Sequence, residues 1–182
     1  GIRGELEPTV GIEAINRFQQ AQIADLHEVI ERLTAILEFI SEESDKVQMG
    51  HDEFLARIHI AVDTGMGRIG LPVSEEGVDV LEKIAALEGI EVEGIFTHFS
   101  KADEWERDYT QRQIEKFTWF IQSAEDRGVH IPLHHCANSA GIMEYPQAHM
   151  DMVRAGIILY GIYPSSEVHR ENLSLQPAME LK

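Results

Sequence analysis

The chain has 182 residues, of which 43% are hydrophobic and 26% are charged, and its formal net charge at pH 7 is -17. This balance is typical of a soluble globular domain, and no apolar stretch reaches the ~20 residues needed to cross a bilayer. The acidic excess argues against nucleic acid or an anionic membrane as a partner. The single cysteine, Cys136, excludes an intrachain disulfide, so we expect a protein of the reducing cytoplasm.

The first 50 residues are dominated by one helical pattern. Apolar side chains between Ile12 and Ile40 recur every three or four positions, which predicts an amphipathic helix. Because an unbroken helix of that length would be unusual, we expect a break near residues 19–25. The alternative is a coiled-coil seam, which would make this an interaction segment. Residues 41–52 are acidic and polar, and they predict a loop.

From residue 57 onward, short apolar runs alternate with helical patterns. The predicted strands are residues 57–64, 92–99, 133–137 and 152–159. Strands that alternate with amphipathic helices are typical of parallel βαβ units.

Two predicted helices separate the first three strands. Ser74 is placed to cap the first helix, which Gly89 would end. Thr110 and Gln113 have the spacing of a capping box for the second helix, and Gly128 is its expected stop.

The segment from Asp151 to Gly161 is apolar apart from its first residue and Arg154. It predicts a buried strand, or a strand that turns into a short helical segment between Gly156 and Gly161. A buried arginine needs a partner, and a structural arginine here would pair with Asp151 or Asp63. Alternatively, Arg154 and the amides near Gly156 could hold a phosphorylated, aromatic cofactor.

Several polar side chains lie at or just beyond the ends of the predicted strands, or within the fourth one. They are Arg68, His98, Ser139 and Arg154. Ligands in parallel α/β folds bind at the carboxyl ends of the strands, so we expect one shared site. A zinc-dependent barrel hydrolase that uses Asp63, His98 and His135 is an alternative. So is a binding module without catalysis, with residues 12–40 as its partner helix.

Four motifs resemble, in order, the signature sequences of the alanine racemase family. They are VDTGMGRIG at residues 62–70, THF at 97–99, HCANSA at 135–140 and DMVRAGIILYGIYPS at 151–165. The resemblance covers about residues 59–182, whereas residues 1–50 remain a helical segment of unclear assignment. It implies an α/β fold, a partial (β/α)8 TIM-type barrel of parallel strands alternating with helices, over residues 51–170. Residues 171–182 would then start the linker to a missing carboxyl-terminal β domain.

The resemblance also implies pyridoxal 5′-phosphate as the cofactor, alanine as the substrate and a homo-oligomer as the assembly. Arg154 matches the partner of the cofactor's ring nitrogen, where a permanent cation disfavours protonation of that nitrogen. His135 matches the histidine that supports this arginine, although a buried core histidine is the structural alternative. His98 matches the histidine that lies against the cofactor ring.

The remaining matched positions concern the phosphate and the substrate. Ser139, Gly156 and Ile157 match the phosphate-binding positions, with a helix cap as the alternative for Ser139. Arg68 matches the arginine that contacts the cofactor's phenolic oxygen and the substrate carboxylate, for which a guanidinium fork is suited. A surface arginine on a loop is the alternative. Asp63 and Thr64 are expected to brace the turn before Arg68.

The sequence departs from the family pattern at three points. Ala61 stands where many members carry a carbamylated lysine, so Arg68 must be held otherwise, for example by chloride. The Lys-Ala-Asn-Ala-Tyr-Gly motif, whose lysine binds the cofactor covalently, is absent from the sequence, and no tyrosine matches the family's second base. Because racemisation needs both bases, we expect a fragment that is inactive by itself.

Overall fold

The computed structural model describes Glu31 and residues 56–178. The helix and loop predicted for the first 52 residues lie outside the described residues, except for Glu31, which is helical. The boundary predicted near residue 50 and the last four residues of the expected linker also lie outside them.

The described part is a parallel sheet with helices between its strands. The strands are β1 (Ala56–Asp63), β2 (Leu71–Pro72), β3 (Ile90–Phe96) and β4 (Leu133–His135). The helices are α1 (Glu75–Ala85), α2 (Asp108–Asp126) and α3 (Ser139–Glu144). The strand order is β2-β1-β3-β4, and each neighbouring pair is parallel. The parallel α/β architecture predicted from the alternation is therefore confirmed.

Ser74 and Gly128 mark helix ends as predicted, whereas α1 already ends at Ala85 with Ala86 as its cap, before the predicted stop at Gly89. Ser74 caps α1, since its hydroxyl oxygen accepts a hydrogen bond from the Gly77 amide at 3.3 Å. Gly128, with φ of +82°, follows the last turn of α2 in the left-handed conformation that favours glycine. None of the helices described is both long and apolar enough to span a bilayer.

The capping box predicted for α2 is wrong. The helix starts at Asp108, and its cap residue Arg107 makes no capping hydrogen bond through its side chain. Thr110 and Gln113 instead face inward and are almost fully buried. The side-chain oxygen of Gln113 accepts a hydrogen bond from the backbone amide of Ser100, just after β3, at 3.1 Å.

The core lies between the sheet and its covering helices, and α1 packs against β2, β3 and α2. Its large apolar side chains with at most 2% exposure include Val62, Val78, Leu81, Ile95, Phe117 and Phe120. Successive strand residues point to opposite faces, so His59, Ala61 and Asp63 face away from this core. That second face and the carboxyl ends of the strands are where the candidate site is found.

The fourth predicted strand is wrong. Residues 152–156 form no strand, and most of the segment is exposed. The Arg154 amide donates to the Ala137 carbonyl at 2.9 Å, but no ladder continues from this bond. The helical part of the prediction is confirmed, because Ile157–Tyr160 forms a 3-10 turn that ends at Gly161 with φ of +77°. The apolar pattern failed as a strand signal because only Ile158 turns into the core.

Candidate functional site

Arg154 lies where the chain leaves β3 and β4. Its Nη2 donates to the Thr97 carbonyl at 2.9 Å, and its Nη1 donates to the His135 carbonyl at 3.1 Å. Nη1 also lies 2.8 Å from Nδ1 of the His135 ring. The Phe96 ring lies beside the guanidinium, 5.3 Å from Cζ to the ring centroid. These contacts fix the orientation of the guanidinium plane.

The predicted carboxylate partners of Arg154 are both engaged elsewhere. One Asp151 oxygen accepts from the His134 amide at 2.9 Å, and Asp63 accepts from the Gly65 and Gly67 amides at 3.0 and 2.9 Å. Burial lowers the pKa of Arg154, although the guanidinium still stays charged at neutral pH. Carbonyl dipoles and a histidine thus compensate a cation that keeps hydrogen-bonding capacity for an external acceptor.

His135 is buried beneath Arg154 with only 4% of its surface exposed. Its second nitrogen, Nε2, lies 2.8 Å from Nδ1 of His59. Burial, followed by the charge of Arg154 and the neighbouring His59, lowers the pKa of His135 to about 4. At neutral pH the ring is therefore uncharged and can accept a hydrogen bond from Arg154.

His98 lies on the other side of Arg154. Its Nδ1 is 3.5 Å from Nη2 of the arginine. Burial, followed by the charges of Arg154 and Arg68, lowers the pKa of His98. An uncharged imidazole is the form that can lie against an aromatic ring without adding a second charge to the site.

Arg68 is exposed and lines a small cavity together with Ala61 and His98. The turn that carries Arg68 is braced on two sides. Asp63 accepts from the amides of the turn, as predicted, and the Tyr109 hydroxyl donates to the Gly65 carbonyl at 2.6 Å. Ala61 lines the same cavity as Arg68, so a longer side chain at this position would enter it.

Ser139, the first residue of α3, forms a hydrogen-bonded pair with Gly156. The helix is capped by Asn138, whose side-chain oxygen accepts from the Gly141 amide at 2.9 Å, so Ser139 is not the cap. The Ser139 hydroxyl instead accepts from the Gly156 amide at 3.0 Å. A Cβ atom at Gly156 would lie 3.4 Å from that hydroxyl, which is an ordinary van der Waals contact. Because the Gly156 amide donates to the Ser139 oxygen, the hydroxyl keeps its own proton, which together with the Ile157 amide fits a phosphate group.

The zinc alternative fails on the same geometry. Both ring nitrogens of His135 are taken, one by Arg154 and the other by His59, and Asp63 is committed to its own turn. Across the residues that the structure describes, no three metal-ligating side chains converge.

Sequence reasoning missed two contributors to this site. His59 shares the strand phase of Ala61 and Asp63, so alternation alone could have placed it on the same face. The Thr97 carbonyl gave no signal, because a backbone oxygen has no residue-type signature. Among the predicted positions, Arg154, His135 and His98 meet directly, Ser139 meets Gly156, and Arg68 approaches from its own turn.

The family described as the N-terminal domain of alanine racemase matches residues 11–164. The chain belongs to the alanine racemase family. The match begins at residue 11, whereas the recognisable motifs begin near residue 59.

Two relatives show how much of a racemase this chain represents. It is 49% identical to an alanine racemase of Clostridium perfringens over 154 residues, which are 84% of this chain and 39% of the relative. It is 52% identical to an alanine racemase of Methanococcus maripaludis over 127 residues, which are 70% of this chain and 34% of the relative. The chain thus spans less than two-fifths of either relative.

Solved racemase structures share the fold. The alanine racemase of Clostridium difficile 630 in complex with cycloserine aligns with a TM-score of 0.70 at 39% identity. The alignment covers 80% of this chain and 38% of that one. The Bacillus anthracis alanine racemase with bound L-Ala-P aligns with a TM-score of 0.64 at 32% identity, over 76% and 36% of the two chains. The TIM-type barrel class is therefore confirmed, and the family is pyridoxal-phosphate-dependent.

Proposed function

We propose that this chain is part of a pyridoxal-phosphate-dependent alanine racemase and forms the wall of its cofactor site. The convergence of Arg154, His135 and His98 at the ends of β3 and β4 carries the proposal. An oriented guanidinium beside two uncharged imidazoles suits an uncharged ring nitrogen, which accepts one hydrogen bond.

The phosphate group of the cofactor would bind near the start of α3. The Ser139 hydroxyl and the Ile157 amide would donate to it, and the Gly156 amide would orient that hydroxyl by donating to its oxygen, since oriented amides and hydroxyls favour an anion. Arg68 would take the carboxylate of alanine through its guanidinium fork. When bound, the cofactor supplies the electron sink that makes the α-proton of an amino acid removable.

Neither of the family's two bases matches a position in this sequence. Abstraction of the α-proton on one face and its return on the other need two positioned groups, and each typically contributes ~10²–10⁴-fold. The residues assembled here bind and orient but do not exchange that proton. We therefore propose that alanine racemisation requires segments beyond this chain. The assembly is proposed to be a homo-oligomer in the cytoplasm.

The test is titration of the chain with pyridoxal 5′-phosphate, followed by an assay for L- to D-alanine conversion. We expect binding without conversion above a buffer control. Arg154→Ala and Ser139→Ala should each weaken binding about 5- to 150-fold, which corresponds to the ~1–3 kcal/mol of a lost hydrogen bond to a charged group. Arg170→Ala, at an exposed arginine outside the site, should bind like the parent chain.

Borohydride reduction of the saturated complex gives a sharper readout. We expect scattered, substoichiometric labelling of lysines. Stoichiometric labelling of one lysine, or measurable racemisation, would show that a covalent cofactor residue lies within this chain. Either result would overturn the proposal that this chain binds the cofactor but does not supply the catalytic bases.

A further inference from the structure

A chain of hydrogen bonds leads from Arg154 back into the sheet. Nη1 of Arg154 lies 2.8 Å from Nδ1 of His135, and Nε2 of His135 lies 2.8 Å from Nδ1 of His59. Nε2 of His59 then lies 3.3 Å from Oε2 of Glu93. We call these four side chains the relay.

The chemistry of its two ends fixes the direction of every bond. Arginine only donates and an ionised carboxylate only accepts, whereas a neutral histidine has one donor and one acceptor nitrogen. Nδ1 of His135 must therefore be unprotonated, so its proton is on Nε2 and is donated to Nδ1 of His59. The proton of His59 is then on Nε2 and is donated to Glu93. Any other protonation pattern sets two donors against each other.

The backbone is shaped to seat the His59 ring. The register between β1 and β3 shifts between Ile58 and His59, an irregularity of the kind that re-aims a side chain. Across from it, a Cβ atom on Gly94 would lie 2.4 Å from Nδ1 of His59, so only glycine leaves space for this ring. Phe96 stacks on the His135 ring, with centroids 5.2 Å apart and planes 12° apart.

The outer end of the relay is anchored by charge. Oε1 of Glu93 lies 3.5 Å from Nη1 of Arg57, and Arg57 also pairs with Glu91. Arg57 thus places a positive charge beside the carboxylate that accepts from His59.

We propose that His59 and Glu93 are positioning residues that hold His135 protonated at Nε2 and thereby fix Arg154 against the ring nitrogen of the cofactor. The second half of this statement rests on the proposed function. The first half concerns this chain alone. If Glu93 no longer accepts, His59 can turn its proton toward His135, which would then present a proton to Arg154 and displace it.

The direct test is nitrogen-15 NMR of the histidine rings in the cofactor-free chain. Nitrogen shifts separate protonated from unprotonated ring nitrogens, and His130, which is exposed, serves as the internal reference. We expect a single form of His59 and of His135 at neutral pH, each protonated at Nε2. Protonation of either ring at Nδ1 would overturn the proposal.

Paired variants separate positioning from packing. Glu93→Leu should shift both histidines toward the Nδ1-protonated form, although Glu93 bonds to His59 and not to His135. Glu93→Gln keeps an acceptor and should leave both rings as they are. Likewise, the asparagine oxygen in His59→Asn would lie near the position of Nδ1 and should keep His135 protonated at Nε2. His59→Leu has no acceptor there and should lose this form of His135. An equal effect of both members in each pair would indicate a packing role and overturn the proposal.

A third experiment measures binding of pyridoxal 5′-phosphate and of its benzene analogue, in which carbon replaces the ring nitrogen. Glu93→Leu should weaken binding of pyridoxal 5′-phosphate about tenfold, the lower end of the effect of supporting partners at metal sites. Binding of the benzene analogue should change less than twofold. Equal weakening of both ligands would overturn the role toward the nitrogen. If the parent chain binds neither ligand, the proposed function fails, while the NMR result still decides whether the relay exists.

Discussion

Arg154 illustrates how a buried cation is satisfied without a carboxylate. Its guanidinium donates to the carbonyl oxygens of Thr97 and His135 and to the ring nitrogen of the same histidine. A carboxylate would neutralise the charge, whereas carbonyl dipoles and an uncharged ring leave the net positive charge available to a ligand. The arrangement depends on His135 staying uncharged.

This dependence predicts how stability changes with pH. The folded chain keeps His135 neutral down to its pKa of about 4, whereas the unfolded chain protonates it near 6.5. Between these values the unfolded state binds more protons, so the free energy of unfolding should fall as the pH is lowered from 6.5 to 4. The contribution of this residue is on the order of 3 kcal/mol. Denaturant unfolding at a series of pH values measures it.

The control for this prediction is a pair of asparagine variants. His135→Asn should flatten the pH dependence over this interval, although it also lowers stability overall. His130→Asn, at a histidine with 79% of its side chain exposed, should retain the slope of the parent chain. Parallel slopes in the parent chain and His135→Asn would contradict the buried, neutral state of this ring.

At the scale of elements, the helices position the site through contacts that their own sequences do not reveal. Gln113 on α2 donates to the Thr64 hydroxyl at 3.0 Å and to the His98 carbonyl at 3.2 Å. It thereby links the ends of β1 and β3, which carry Arg68 and His98. At the start of α1, Gly77 packs directly against the backbone of Pro72 in β2.

The packing of α1 on β2 gives a second prediction. Gly77→Ala would place a Cβ atom 2.1 Å from the Pro72 carbonyl oxygen, so the helix must move away from the strand. Within a helix this change ordinarily stabilises by ~0.5–1 kcal/mol, and here the clash should reverse the sign. We expect a loss of roughly 1–3 kcal/mol in the free energy of unfolding.

Gly128→Ala is the matched control. A Cβ atom there meets nothing within 4 Å, but φ of +82° strains any other residue. We expect a smaller cost of ~1 kcal/mol from that conformation alone. A gain in stability for Gly77→Ala would show that the contact between α1 and β2 is looser than described.

At the scale of the whole molecule, the segment after β4 has an uncovered apolar surface. Its exposed apolar side chains include Val153, Ile157, Leu159, Tyr160 and Ile162, and Leu159 alone is 64% exposed. The chain spans less than two-fifths of the length of the relatives described above. Exposed apolar patches of this kind promote association.

We therefore predict that the isolated chain self-associates. Sedimentation velocity over a concentration series should show species larger than the monomer of 20.6 kDa. Leu159→Glu should shift the distribution toward monomer, because it charges the most exposed apolar position of this segment. Trp119→Glu, on the outer surface of α2, is the control and should have little effect. A monomer at all concentrations would contradict the prediction.

The sequence by itself determined the parallel α/β alternation, the Ser74 cap, the Gly128 stop and the family. These features depend on local periodicity and on residue types at fixed short spacings. Only the tertiary structure decided what Arg154 bonds to, that Gln113 turns inward, and that His59 and Glu93 connect to the site. Those contacts join residues tens of positions apart, and several end on backbone carbonyls, which every residue possesses. The hydrophobic pattern likewise led to a wrong prediction of a fourth strand at residues 152–159. An apolar run that has no neighbouring strand to pair with can remain on the surface.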